Sequence, residues 1–341
     1  MNRATWIIGV FVLVLPLTTM AQSRGITLET VESSAQTPFI NGVYRALIVG
    51  NDAYQDAHNR WPQLETAVSG ARAVAQLLSQ HYGFDDIEVL ENATRRDTLK
   101  ALERLSKRAL PNDSVLVYYA GHGFLDSDSA RGFWVPIDAE GVDNTTFLRN
   151  STIRDEMSAI AARARHTLLI SDSCFSGTLL RRGTRSISAA EVNEGYFRKV
   201  SNKKSVQIIA AGGVEFVDDN YRSSGHSPFT YFLLNELKNN DRQLLTVSEL
   251  SNNVSVAVAN NVEQVPESGV LQGAGDELGE FIFIKMNVSV EGVAPEKVKV
   301  EVNVVPTGTN LESKKSQADS DSKPAEVNVD DAAIAVPLPT L

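Results

Sequence analysis

Val115-Leu116-Val117-Tyr118-Tyr119-Ala120-Gly121-His122-Gly123 and Leu168-Leu169-Ile170-Ser171-Asp172-Ser173-Cys174-Phe175-Ser176-Gly177 are built alike. Each is a short apolar run that stops at a polar, glycine-containing loop. Runs of this length without polar alternation read as strands covered on both faces, as in a parallel sheet. Ligands of such sheets bind beyond the carboxyl ends of the strands. Neighbouring parallel strands would carry the imidazole of His122 and the thiol of Cys174 to one edge of one sheet. A thiol beside an imidazole is how a cysteine hydrolase is assembled.

The same rhythm continues outward. Ala46–Gly50, Ile87–Leu90 and Ser205–Ala211 read as further strands. Leu64, Ala67, Val68, Ala71, Val74, Ala75 and Leu78 recur at helical spacing. Thr94 N-caps a helix that buries Leu99, Leu102 and Leu105, and another helix opens at Ser151 or Thr152. Ser227–Leu237 reads as a helix, Thr246-Val247-Ser248-Glu249 is a capping box, and Phe281–Ile284 is a last strand. Strand and helix alternate as in right-handed βαβ units, so the fold class is α/β.

The 341 residues are 43% hydrophobic and 22% charged, the composition of an ordinary globular chain. A formal net charge of -10 argues against a general nucleic-acid binder; it suits a groove that attracts cationic peptides, with a solvated acidic surface as the more general reading. Arg3, the apolar run Trp6–Leu17 and the small residues near Ala21 read as a secretory signal peptide over 1–21. A periplasmic or secreted protein with no stable membrane span after cleavage is therefore expected. The alternative is an uncleaved anchor, for which the run falls short of the ~20 residues a span needs.

Residues 22–42 read as a flexible lead-in. The segment 178–204 carries seven basic against two acidic residues in an otherwise acidic chain. From about 287 to 341 the chain reads as a mostly disordered tail, in which Val288–Val304 offers one edge strand. Cys174 is the only cysteine, so no internal disulfide is available to it.

A free thiol of pKa about 8.5 is mostly protonated at neutral pH, and an imidazole can take its proton and later protonate the leaving amine. The tetrahedral oxyanion needs donors, for which the backbone N–H groups of Gly123 and Cys174 are suited. Ser173 and Ser176 offer a serine-hydrolase alternative, but the G-x-S-x-G elbow is lacking.

At these residues the chain resembles the caspase-like cysteine peptidases, the caspase, metacaspase and bacterial orthocaspase group. The resemblance rests on Tyr118–Gly123 and Asp172–Gly177. Leu47–Asn51, Trp134–Asp138, Ser227–Leu234 and Gly273–Gly275 support it. It covers roughly Val43 to Met286. It implies a three-layer sandwich around a six-stranded, mostly parallel sheet whose last strand is antiparallel. It also implies a large-subunit region over 43–177, a linker over 178–204 and a small-subunit region over 205–286. Relatives are often cleaved in that linker, which points to self-cleavage near Arg182, Arg185 or Lys204, with a basic surface loop of no processing role as the alternative.

The resemblance further implies a peptide or protein substrate, no required cofactor and no catalytic metal. It leaves calcium activation open, with the Asp126-Ser127-Asp128 cluster as a candidate and a polar turn as its plainer reading. Animal caspases recognise aspartate through an arginine after the first strand. Here the aligned position is Leu64, with Arg60 close by. Metacaspases and orthocaspases prefer Arg or Lys, using among others the acid two residues before the cysteine, which is Asp172 here. A second acid usual in the early helix is missing, because Gly70 stands there, and Glu215, Asp218 or Asp219 are candidates to replace it. Asn51 and Asp52 are candidates for the groove edge. His58, His81, His166 and His226 read as structural or solvated. The sequence leaves the oligomeric state undetermined. The rival of a different class is a catalytically inactive caspase-fold scaffold of the cell envelope.

Overall fold

The computed structural model describes residues 42–56, 60–174, 179–180, 194–212 and 219–286, together with the backbone of 301–304. The expected signal peptide, lead-in, most of the linker and most of the tail lie outside the described residues.

Six strands dominate: β1 (Tyr44–Gly50), β2 (Phe84–Glu91), β3 (Ser114–Ala120), β7 (His166–Asp172), β8 (Ser205–Ala210) and β10 (Glu267–Val270). With β12 (Glu301–Val304) they form a seven-stranded sheet in the order β10-β8-β7-β3-β1-β2-β12. All neighbours pair in parallel except β10, which runs antiparallel to β8. The family expectation of six strands is thus exceeded by one, and the valine-rich stretch after 287 supplies it.

The antiparallel member also differs from expectation. Phe281–Ile284 is not in the main sheet; β11 (Ile282–Ile284) pairs with β9 (Leu244–Thr246) in a separate two-stranded ladder. The edge strand is Glu-Ser-Gly-Val, whose small and charged residues gave no apolar run to read.

Side chains alternate between two cores, as strand geometry requires. Ala46, Ile48, Leu116, Tyr118, Leu168 and Ile170 face one side. There they meet α1 (Ala67–Tyr82), α5 (Pro228–Asn239) and α6 (Val247–Ala259). Leu47, Val49, Val115, Val117, Tyr119 and Leu169 face the other, against α2 (Arg95–Arg108) and α3 (Asn150–Ala161). Helix α1 approaches β1 so closely that a Cβ at Gly50 would lie 2.5 Å from the Ala67 carbonyl oxygen.

The caps follow the sequence. Thr94, Ser227 and Thr246 accept bonds from the N–H groups of Asp97, Thr230 and Glu249 at the starts of α2, α5 and α6. A small antiparallel sheet of β4 (Gly123–Asp126), β5 (Arg131–Trp134) and β6 (Leu148–Arg149) extends from the end of β3. Within the basic segment, α4 (Glu194–Ser201) is a helix rather than a loop.

Candidate active site

Strands β3 and β7 are paired in exact step, Ser114 opposite His166 and Ala120 opposite Asp172. His122 lies two residues beyond the end of β3 and Cys174 two beyond the end of β7, so the register brings both loops to the same level of the sheet edge. The loops touch. A Cβ at Gly123 would lie 2.0 Å from the Cys174 carbonyl oxygen, so only glycine permits this approach. His122, Gly123, Asp172, Ser173 and the exposed Cys174 line one cleft of about 450 Å³.

The imidazole is held from three sides. Its Nε2 lies 2.8 Å from the Pro62 carbonyl oxygen, which can only accept, so Nε2 carries the proton and Nδ1 the lone pair. The ring packs against Tyr54 and Trp61 at centroid distances of 4.6 and 5.6 Å. The His122 backbone N–H donates to the Tyr54 hydroxyl at 2.7 Å, while the Tyr119 hydroxyl donates to the His122 carbonyl at 3.0 Å. Burial lowers the His122 pKa, against the opposing pull of the Pro62 carbonyl and the Asp219 charge. The ring is therefore held toward its neutral form.

Gly123 opens a hairpin whose hydrogen-bond phase matters. Val135 N–H donates to the His122 carbonyl at 3.0 Å, so the next pair, Gly123 opposite Trp134, is a non-hydrogen-bonded one. The Gly123 N–H consequently points away from β5.

Asp172, at the last position of β7, is anchored by α5. Ser227 Oγ donates to its Oδ2 at 2.5 Å and Thr230 Oγ1 donates to the same oxygen at 2.6 Å. The Tyr118 hydroxyl, 2.6 Å from Thr230 Oγ1, completes the relay as donor. Both aliphatic hydroxyls take Oδ2, which leaves Oδ1 outside this anchor. Burial pushes the carboxyl up to about 6, opposed by the two hydroxyls and reinforced by the neighbouring charge of Asp219.

Asp219 lines the same cleft. Its carboxylate accepts from Glu65 N–H and from Thr66 Oγ1, so it also fastens the start of α1. Of the three acids weighed as a second cleft carboxylate, Asp219 is there, while Glu215 and Asp218 lie outside the described residues. Arg60 and Leu64 both line the cleft as well.

Other expectations are corrected. Asn51 is buried and its Oδ1 accepts from Ala93 N–H at 2.8 Å. Asp52 accepts from Ala67 N–H and Val68 N–H at 2.8 and 3.1 Å, capping α1 instead of edging the groove. Ser173 Oγ is tied at 3.0 Å to Ser171 Oγ, which in turn accepts from Trp134 Nε1 at 3.1 Å; that buried chain gives Ser173 a structural place. Ser176 lies outside the described residues.

His166 is fully buried on β7 between Ser205 and the Ser201 carbonyl, a structural place too. Asp126 closes its own turn, accepting from Asp128 N–H and Ser129 Oγ. No group of three or more His, Cys, Asp or Glu side chains converges as a metal site among the described residues. No helix among them is long and apolar enough to cross a membrane.

Sequence reasoning missed Tyr54, Trp61, Pro62 and Gln264. Each comes from a loop that folds over the sheet edge, where neither helical nor strand periodicity marks the facing side.

The family model described as the Caspase domain matches residues 44–270. Metacaspase-1 of Saccharomyces cerevisiae is 31% identical over 176 residues, covering 45% of this chain and 38% of that protein. Metacaspase-1 of Debaryomyces hansenii is 30% identical over 160 residues, covering 41% and 34%. The chain thus spans well under half the length of these relatives. A solved structure, protein GSU0716 from Geobacter sulfurreducens, is similar with a TM-score of 0.45 and 18% identity, covering 67% of this chain and 93% of that one. Matched over more than half its length by that family model, the chain belongs to the caspase-domain family of cysteine peptidases.

Proposed function

We propose that the protein is an exported cysteine endopeptidase, acting in the periplasm or outside the cell, that cleaves peptide bonds after Arg or Lys. Cys174 is the nucleophile and His122 the acid/base. His122 Nδ1 takes the thiol proton, and Sγ attacks the carbonyl carbon to form a tetrahedral adduct. His122 then returns the proton to the departing amine, and a water activated by the same nitrogen hydrolyses the thioester. The N–H of Gly123, which faces away from β5, and that of Cys174 serve the oxyanion.

The observation that carries this reading is one cleft holding an exposed thiol, a neutral-biased imidazole with its lone pair on Nδ1, and two carboxylates. Two acids against one exposed arginine, Arg60, favour a cationic over an acidic side chain before the scissile bond. Export rests on the signal-like residues 1–21.

The test uses peptides identical except for Arg, Lys, norleucine or Asp before the scissile bond. Wild type is expected to cleave the Arg and Lys peptides, and Cys174→Ala and His122→Ala each to lose at least about a thousandfold. Fast cleavage of only the Asp peptide would overturn the specificity. Absence of any Cys174-dependent cleavage would favour the inactive scaffold.

A further inference from the structure

The backbone that carries the His122 ring has a fastening of its own. Its N–H donates to the Tyr54 hydroxyl at 2.7 Å. The Tyr54 hydroxyl in turn donates to that of Tyr119. The Tyr119 hydroxyl shares its proton between the carbonyls of His122 and Val135, each at 3.0 Å. The bonds thus run in a closed circuit, from the His122 N–H through two phenols and back to the His122 carbonyl. Both phenols are buried, where such a chain is stronger than in water. The circuit also accounts for Gly121, because a Cβ there would lie 2.8 Å from each of the two hydroxyl oxygens. At its own carbonyl Tyr54 accepts from Gln63 Nε2 at 2.6 Å, beside the Pro62 carbonyl that receives the ring.

We propose that Tyr54 and Tyr119 are positioning residues for His122, their hydroxyl circuit fixing the pitch of the imidazole over the cleft whatever the substrate. The inference rests on His122 being the acid/base of the proposed peptidase. Neither tyrosine is among the described residues that line the cleft, so neither hydroxyl acts by touching substrate. Packing alone would need only the rings, which phenylalanine keeps. Loss of the Tyr54 hydroxyl instead orphans a buried His122 N–H and opens the circuit. The loop is then free to turn, and the ring to leave the Pro62 carbonyl that fixes its tautomer. Chemistry is steep in such geometry, since a misplacement of about 1 Å can cost about a hundredfold in rate.

The experiment compares wild type, Tyr54→Phe, Tyr119→Phe, the double variant and His122→Ala on the Arg, Lys and norleucine peptides, measuring kcat and KM separately. Tyr54→Phe is expected to lower kcat about tenfold or more on every peptide that wild type cleaves, by the same factor, with KM changed less than about threefold. Tyr119→Phe is expected to lose less, because the His122 carbonyl keeps the Val135 N–H. The double variant should lose less than the product of the two single losses, because either change opens the same circuit. The 15N shifts of the His122 ring, set in wild type by a proton on Nε2, should move in Tyr54→Phe toward those of a free imidazole averaging both tautomers. Wild-type kcat and ring shifts in both single variants, beside an inactive His122→Ala, would overturn this inference and leave the role of His122 standing. A loss confined to KM for the Arg peptide would overturn it too, since the hydroxyls would then serve the substrate. Full cleavage by His122→Ala would overturn both. Should Tyr54→Phe fail to fold, the kcat and ring shifts of Tyr119→Phe decide alone.

Discussion

The Pro62 carbonyl decides which nitrogen of His122 carries the lone pair, and burial lowers the pKa of the ring toward its neutral form. Asp172 is tuned the opposite way, with burial lifting its carboxyl to about 6. On the proposed roles these two titrations can be separated, because every substrate would need His122 but only a cationic one would need an ionised Asp172. The ratio of kcat/KM for the Arg peptide to that for the norleucine peptide should fall as pH drops from about 8 to about 5, with its midpoint near 6. In Asp172→Asn the ratio should be low and flat, and a wild-type slope there would exclude Asp172 as the group responsible.

The same shift has a stability consequence. A carboxyl whose folded pKa is raised favours the fold below its unfolded value near 4, and that contribution is gone above about 6. Two units correspond to about 3 kcal/mol, which the open side of the partly buried Asp172 reduces to about 1 to 2 kcal/mol. Asp172→Asn should therefore be more resistant to urea than wild type at pH 7.5, with no difference left at pH 4.

At the level of elements, the legible features are those whose cause is local. The parallel strands show as unbroken apolar runs, and Thr94, Ser227 and Thr246 cap their helices as their sequences dictate. Removing the Thr94 cap by Thr94→Ala should cost about 1 kcal/mol. Gly50→Ala should cost more, about 1 to 3 kcal/mol, because its methyl would meet the backbone of α1, which cannot swing aside as a side chain can. Equal urea midpoints for these two variants would show that α1 docks less rigidly than the 2.5 Å approach implies.

What stayed illegible has a non-local cause. Asp52 reads in sequence as a residue at a strand tip, and only the docking of α1 turns it into a cap. Strand β10 exists because β8 offers an edge, since Glu-Ser-Gly-Val carries no strand pattern of its own. In the candidate site, the meeting of the His122 and Cys174 loops is legible because β3 and β7 are neighbours in step. Pro62 and Gln264 reach the cleft through tertiary folding alone, and Asp219 is readable only as one of three candidate acids.

Across the whole molecule, the two edges of the main sheet are closed by different means. One is β10, short and antiparallel. The other would be β2, whose outward backbone groups are taken up in parallel by Glu301–Val304 from beyond the region matched by the family model. An uncovered strand edge is a template for pairing with other chains. Glu88 and Glu91 on β2 are buried against Arg104, Arg108 and Arg72, so the stretch Glu88–Glu91 presents little exposed charge of its own to discourage such pairing. Ending the chain after Met286 should spare the proposed Cys174-dependent cleavage, because none of the described lining residues of the cleft is removed. It should speed amide hydrogen exchange within Glu88–Glu91 by at least about tenfold while β3 and β7 keep their protection. Self-association in sedimentation should rise with it. Unchanged exchange in β2 would mean that the added strand contributes no lasting cover to that edge.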